Sequence, residues 1–187
     1  YVANEMISKS FSVPATDLEE ILARNCRISD TARAARFCRQ AEQACYFCKD
    51  IHYPDVPLHT PTFDTTLLSA HIRPGHVTLI DCWASWCGPC RAAIPKVKAL
   101  YDKYGRDRFD VISISLDSKK EDWQKALEEE KMPWPQFIAG NRGYKQLTSR
   151  YNISSIPNLI LIDGKGQVVC NTFSPEEIRI ELEQILR

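Results

Sequence analysis

Nowhere in this chain of 187 residues do eighteen apolar residues run together, so no bilayer-spanning helix is expected. Neither sign of charge prevails. Twenty-four Lys and Arg offset 24 Asp and Glu, which leaves no field to draw in a nucleic acid or an anionic membrane surface. Methionine is missing from the first position: the chain starts at Tyr1, and a processed chain without its targeting segment is expected. Cysteine, by contrast, is plentiful. Eight in 187 residues are many for a reducing cytosol and point to an oxidising compartment.

Three of those cysteines stand in the run Asp81-Cys82-Trp83-Ala84-Ser85-Trp86-Cys87-Gly88-Pro89-Cys90, the last two of them three residues apart. Val77 to Trp83 reads as a buried strand, and Pro89 to Tyr104 as a helix with Val97, Leu100, Tyr101 and Tyr104 on its apolar side. Cys87 therefore falls at a helix entry, where backbone N–H groups lack intrahelical partners and the dipole favours negative charge. A thiolate is stabilised there. Only the thiolate attacks a disulfide, and such settings bring a cysteine pKa from ~8.5 into the ~3.5–7.5 range. Cys90, one turn further in, can close a ring with Cys87 and eject a bound thiol. Pro89 takes a first-turn position where its missing N–H costs nothing. Zinc would need two further ligands, and no second cysteine or histidine pair lies nearby at ligand spacing. A purely structural bridge would not need this strand-to-helix context.

Asp-x-Trp-Ala-x-Trp-Cys-Gly-Pro-Cys, followed by Arg91 and Pro95, resembles thioredoxin and, more closely, the thioredoxin-like thiol-disulfide oxidoreductases of bacterial cell envelopes, the TlpA/ResA group. The likeness runs from about residue 60 to the C-terminus. It implies an α/β thioredoxin-like fold, a central mixed sheet flanked by helices, and a periplasmic or envelope location. It also implies that Ile156-Pro157 forms a cis-proline loop facing the dithiol and that Asp81 is a buried carboxylate behind Cys90. An X–Pro bond loses only ~0.5–1 kcal/mol of trans preference. Pro157 has no N–H, so such a loop offers the backbone of Ile156 to an extended segment. Desolvation would raise the Asp81 pKa and fit it to accept the Cys90 proton. The implied catalytic residues are Cys87, Cys90 and Asp81, with Trp86, Ile156 and Pro157 lining a docking groove. The implied partners are disulfide-bearing client proteins and an upstream thiol donor, and no cofactor is called for because the dithiol itself carries two electrons. Gly88-Pro89 resembles reducing thioredoxins, whose potential is about −270 mV, which favours a reductase over an oxidase.

Three positions depart from that pattern. Ser113 stands where thioredoxin has a lysine near the buried aspartate, Ala93 where many envelope relatives have glutamate, and Cys82 where they have phenylalanine. Cys82 alternates with Asp81 along its strand and is expected as a small core thiol. Two other functions stay open: a module that clamps clients through the dithiol without turnover, and a peroxidase. The latter wants threonine and proline ahead of the cysteine, and Ala84 holds the threonine position.

The remainder divides into a helical extension over residues 1–52, a linker over 53–61 and a thioredoxin-like domain over 62–187. Thr16 with Glu19 forms a capping box, and Ser29 or Asp30 can cap a second helix to about Ile51. Pro54, Pro57 and Pro61 then favour an extended connector. Beyond it, strand and helix patterns alternate: Phe63–Leu68, Val77–Trp83 and Asp110–Leu116 as strands, and a helix capped by Ser118 and Glu121 that carries Trp123, Ala126 and Leu127. Trp134–Ile138 reads as a short extra strand, and Tyr144, Leu147 and Tyr151 mark a helix. Leu159–Ile162 and Gln167–Thr172 form a hairpin around Asp163-Gly164-Lys165-Gly166, a turn signal and not a phosphate loop. Ser174, Pro175 and Glu177 open the last helix, with Ile178, Leu182 and Ile185 facing inward.

Cys38, Cys45 and Cys48 recur with Ala34 and Ala41 on one face of the second expected helix. At ~1.5 Å per residue, Cys38 lies ~10 Å from Cys45 and ~15 Å from Cys48, beyond the ~7 Å reach of a disulfide. If these three and Cys26 are oxidised among themselves, a straight helix leaves Cys26–Cys38 and Cys45–Cys48. Structural thiols or bridges, a second redox pair at Cys45/Cys48, and a zinc site from Cys38, Cys45, Cys48 and His52 stay open. Non-reducing peptide mapping is expected to recover the Cys45–Cys48 link, and a Cys26–Cys45 or Cys26–Cys48 peptide would rule out a straight helix.

Overall fold

The computed structural model describes residues 51–105 and 107–187. The helical pair expected over residues 1–50, with Cys26, Cys38, Cys45 and Cys48, lies outside the described residues. Among the described residues eight strands form a single sheet: β1 (Ile51–His52), β2 (Pro57–His59), β3 (Thr65–Leu67), β4 (Val77–Trp83), β5 (Phe109–Ser115), β6 (Gln136–Ile138), β7 (Asn158–Ile162) and β8 (Gln167–Thr172). Their order is β1-β8-β7-β4-β5-β6-β2-β3. The pairs β4–β5 and β5–β6 are parallel and all others antiparallel, so the sheet is mixed, as expected. Helices α1 (Gly88–Tyr104), α2 (Lys120–Glu130), α3 (Gly140–Arg150) and α4 (Pro175–Ile185) follow β4, β5, β6 and β8.

The central strand β4 is buried at all seven positions, which is why it reads as an unbroken apolar run and not as an alternation. Its side chains still alternate between two cores. Val77 and Leu79 meet Val97, Leu100 and Tyr101 of α1 and Ile178 and Leu182 of α4. Ile80 and Cys82 face the other way, among Leu58, Ile112, Ile114, Phe137 and Leu147. Asp81 and Trp83 thus share the face that α1 covers. Within α1 the buried positions Cys90, Ile94, Val97, Leu100 and Tyr101 form one stripe, and Gly105 ends the helix at a φ of 67°, a conformation glycine adopts without strain.

Several local expectations change on folding. The stretch 53–61 is extended, but it is no free connector: Pro57–His59 pairs with both β3 and β6, and Val56 and Leu58 are fully buried. Apolar burial outweighs the proline signal, because the single proline of β2, Pro57, is the first residue of the strand, where an N–H is dispensable. Ile51–His52, expected at a helix end, instead pairs with β8. Helix α2 begins after Lys119 with no side-chain cap, leaving Glu121 and Asp122 to complement the dipole of its first turn. At α4, Ser174 does not cap with its hydroxyl; its N–H donates to Thr172 Oγ1 at 3.1 Å. Helix α3 lies close on β2 because Gly143 has no Cβ, which would come within 2.4 Å of the Pro57 carbonyl oxygen.

Leu58→Ala is expected to lower stability by about 2–5 kcal/mol in urea melts. Leu67→Ala on the exposed edge strand β3 should change it by less than about 0.5 kcal/mol.

Candidate functional site

Strand β4 ends at Trp83, and four residues later Cys87 is the N-cap of α1. Cys87 and Cys90 are joined in a disulfide with Cα atoms 5.3 Å apart. The Cys90 N–H donates to Cys87 Sγ at 3.2 Å, so the sulfur occupies the place a capping oxygen would take. Both cysteines are almost wholly buried, at 4% and 2% exposure, whereas the adjoining Trp86 is 71% exposed. They sit in a small core with Trp83, Ala84 and Ile94, closed from the other side by Trp123 and Ala126 of α2. Arg91, directly after the second cysteine, ties this helix start to the end of α2 through Glu129 at 2.7 Å and Glu130 at 2.5 Å.

Asp81 is buried at 4% exposure on the α1-covered face of β4, between Leu79 and Trp83. Trp83, two residues further along the same face, packs in the core that holds Cys87 and Cys90. Ser113 is its register partner on β5 and donates its hydroxyl to Asp81 Oδ2 at 2.8 Å, while accepting the Trp134 indole N–H at 2.8 Å. One neutral hydroxyl does not replace a lysine. Desolvation therefore dominates, and the Asp81 pKa is pushed up to about 6 although the Ser113 hydrogen bond pulls it down. Cys82 points into the opposite core, fully buried; burial, with Asp81 nearby, holds its thiol far above the ordinary range and makes it a poor nucleophile.

The Ile156–Pro157 peptide bond is cis. Ile156 packs against the core that holds the disulfide, although it lies 66 positions beyond Cys90 in the chain. Beside them lies a groove of about 580 Å³, walled by Trp86, Leu116, Asp117, Tyr144, Ile153 and Ile156 among others. Pro157, half-buried, adjoins this wall without forming part of it.

Two contributors were not singled out from the sequence. Tyr144, counted there only as a marker of a helix, is 47% exposed and forms one bank of the groove. Asp117 is 5% exposed and accepts hydrogen bonds from the Ser85 N–H (2.9 Å), the Ser85 hydroxyl (2.7 Å) and the Ser115 hydroxyl (2.7 Å). The signal that could have found it is its place just past the carboxyl end of a parallel strand, where α/β folds build their clefts. Of the zinc set, the three cysteines fall outside the described residues, and His52 lies on β1 with Nδ1 3.2 Å from the Tyr53 carbonyl oxygen. Among the described residues no group of three or more His, Cys, Asp or Glu is placed to hold a metal.

Comparison with known proteins agrees with this geometry. The family model for thioredoxin-like proteins matches residues 75–168. Thiol-disulfide oxidoreductase ResA of Geobacillus kaustophilus is 26% identical over 133 residues, 67% of this chain and 75% of that protein. Among solved structures, a putative thiol:disulfide interchange protein DsbE from Chlorobium tepidum is 33% identical with a TM-score of 0.59, covering 74% of this chain and 95% of that one. The thioredoxin domain of a thiol-disulfide oxidoreductase from Bacteroides vulgatus shares the fold at 24% identity, with a TM-score of 0.68 over 75% of this chain and 99% of that one. With its dithiol at the strand-to-helix junction and its cis-proline loop alongside, the chain belongs to the thioredoxin-like family, as a protein thiol-disulfide oxidoreductase of the TlpA/ResA kind.

Proposed function

We propose that the protein is a disulfide reductase for client proteins of a bacterial cell envelope, working through a Cys87/Cys90 exchange. The observation that carries this reading is the position of Cys87 Sγ at the entry of α1 as acceptor of the Cys90 N–H. In the reduced protein the Cys87 thiolate attacks one sulfur of a client disulfide. A Cys87–client bond forms and the client's other sulfur leaves as a thiolate. Cys90 then gives its proton to Asp81 and attacks Cys87 Sγ, releasing the second client thiolate and closing the Cys87–Cys90 bond. Two electrons pass from the dithiol to the client, and a thiol donor upstream restores the dithiol.

With a pKa of about 6, Asp81 is mostly ionised at neutral pH yet basic enough to take a proton, the compromise a general base requires. Trp86 and Ile156 would grip the client segment, with the backbone of Ile156 pairing in strand fashion beside Pro157. Tyr144 extends that grip along the groove. The envelope location rests on the cysteine count and on the resemblance to the envelope oxidoreductases. The reducing direction rests on Gly88-Pro89 between the cysteines.

Cys87→Ser should bring insulin reduction to the uncatalysed background, and Cys90→Ser should accumulate client proteins as mixed disulfides on Cys87. Full insulin reduction by Cys87→Ser would overturn the Cys87 exchange, and a parent protein that binds clients but leaves insulin unreduced would be a clamp without turnover. Equilibration with glutathione buffers at a strongly oxidising potential would reverse the proposed direction.

Asp81 adds a pH signature whose sign is fixed by burial. Its folded pKa lies above the unfolded value of 3.8, so the folded state holds the proton more tightly, and stability falls as pH rises from about 4 through about 6. Above that window the charged carboxylate costs roughly 3 kcal/mol. Asp81→Asn should therefore gain stability over the parent at pH 8 and little at pH 4, while slowing resolution of the mixed disulfide by about 100-fold. Parallel urea melts and single-turnover exchange read the two effects separately.

A further inference from the structure

We infer that Asp117 is a positioning residue for the dithiol: through Ser85 it clamps the turn that carries Trp86 and Cys87, and it does so chiefly for the reduced state. The inference rests on the Cys87/Cys90 reading but not on any client or direction.

The geometry is that of a two-point grip. Ser85 Oγ donates to Asp117 Oδ1 at 2.7 Å and the Ser85 N–H donates to Oδ2 at 2.9 Å. Ser115 steadies the carboxylate from the strand side: its hydroxyl donates to Oδ2 at 2.7 Å and its oxygen accepts the Asp117 N–H at 2.9 Å. One residue earlier the Leu116 N–H donates to the Trp83 carbonyl at 2.8 Å, so β5 holds the end of β4 by backbone as well. This carboxylate is nearly sealed from water, so solvent competes little for its hydrogen bonds. Both its oxygens are engaged by donors, which makes it a fixed anchor.

The Ala84–Cys87 turn has four other restraints: the Cys87 N–H donating to the Ala84 carbonyl at 3.0 Å, the Arg91 N–H donating to the Cys87 carbonyl at 3.1 Å, the Cys90 N–H donating to Cys87 Sγ, and the disulfide itself. Reduction breaks the covalent restraint and leaves the other three. The Ser85 clamp then carries a larger share of what keeps Cys87 at the helix entry, where its thiolate is stabilised and Cys90 can reach it. A clamp that matters more without the disulfide favours the reduced form in the redox equilibrium.

The test measures Ser85→Ala, Asp117→Asn and the double variant, each fully oxidised and fully reduced, by thermal melting and by equilibration with glutathione. Ser85→Ala removes one hydroxyl and carries the test alone should Asp117→Asn fail to fold. The expected result is a larger drop in melting temperature for the reduced form than for the oxidised form. The equilibrium constant for reduction by glutathione should fall about three- to tenfold, the tenfold limit being ~30 mV. The double variant should be no worse than Asp117→Asn, because both changes break one contact. Equal losses in the two redox forms with an unchanged constant would make Asp117 a purely structural anchor and overturn the inference. So would a rise in the constant with Asp117→Asn while Ser85→Ala stays silent, since that pattern belongs to a bare charge effect. A parent protein that does not equilibrate with glutathione at all would instead overturn the dithiol reading.

Discussion

The whole site depends on a helix entry whose Cys90 N–H is met by a sulfur in place of a capping oxygen. Strand β4 must stop, turn and deliver Cys87 to the N-cap of α1 within four residues, and the first turn must contain no side chain that competes for those donors. Gly88 and Pro89 meet that demand, one without a side chain and the other without an N–H. The buried stripe of α1 then fixes the helix on the sheet, so that the sulfur's electrostatic environment is set by the same packing that makes the core.

Two buried carboxylates flank this junction and are treated in opposite ways. Asp81 has one hydroxyl donor and loses its water, so its charge is expensive and its proton negotiable. Asp117 has three donors from two serines, so its place is fixed. Asp81 stands where β4 and β5 run parallel and Asp117 two residues past the end of that pairing, with Ser113 and Ser115 of β5 supplying a donor to each. The replacement of lysine by Ser113 belongs to this division, since a cation there would draw Asp81 back toward ordinary acidity.

How much of this could be read from the sequence depends on how local each signal is. The dithiol and its helix were legible because the spacing of Cys87 and Cys90 and the apolar steps after them lie within twenty residues. Asp81, Ser113 and the Ile156–Pro157 loop needed the family resemblance, because nothing in their spacing says they share a place. The Ser85–Asp117 contact was not legible at all: it joins residues 32 apart through the register of two strands. Strand β2 was misread for a simpler reason, since three prolines spoke for a linker and only burial of Val56 and Leu58 in the assembled core overrides them. The absent caps at α2 and α4 show the same limit, because a hydroxyl near a helix start caps it only when the incoming chain turns the right way.

The two rims of the sheet are β1 with two residues and β3 with three. Among the described residues β1 covers only Gln167 and Val168 of β8, so residues 169–172 keep an outer edge without a strand partner. An open edge of four residues offers a passing extended segment few ladder hydrogen bonds, and that shortness works against edge-to-edge growth of the sheet into aggregates.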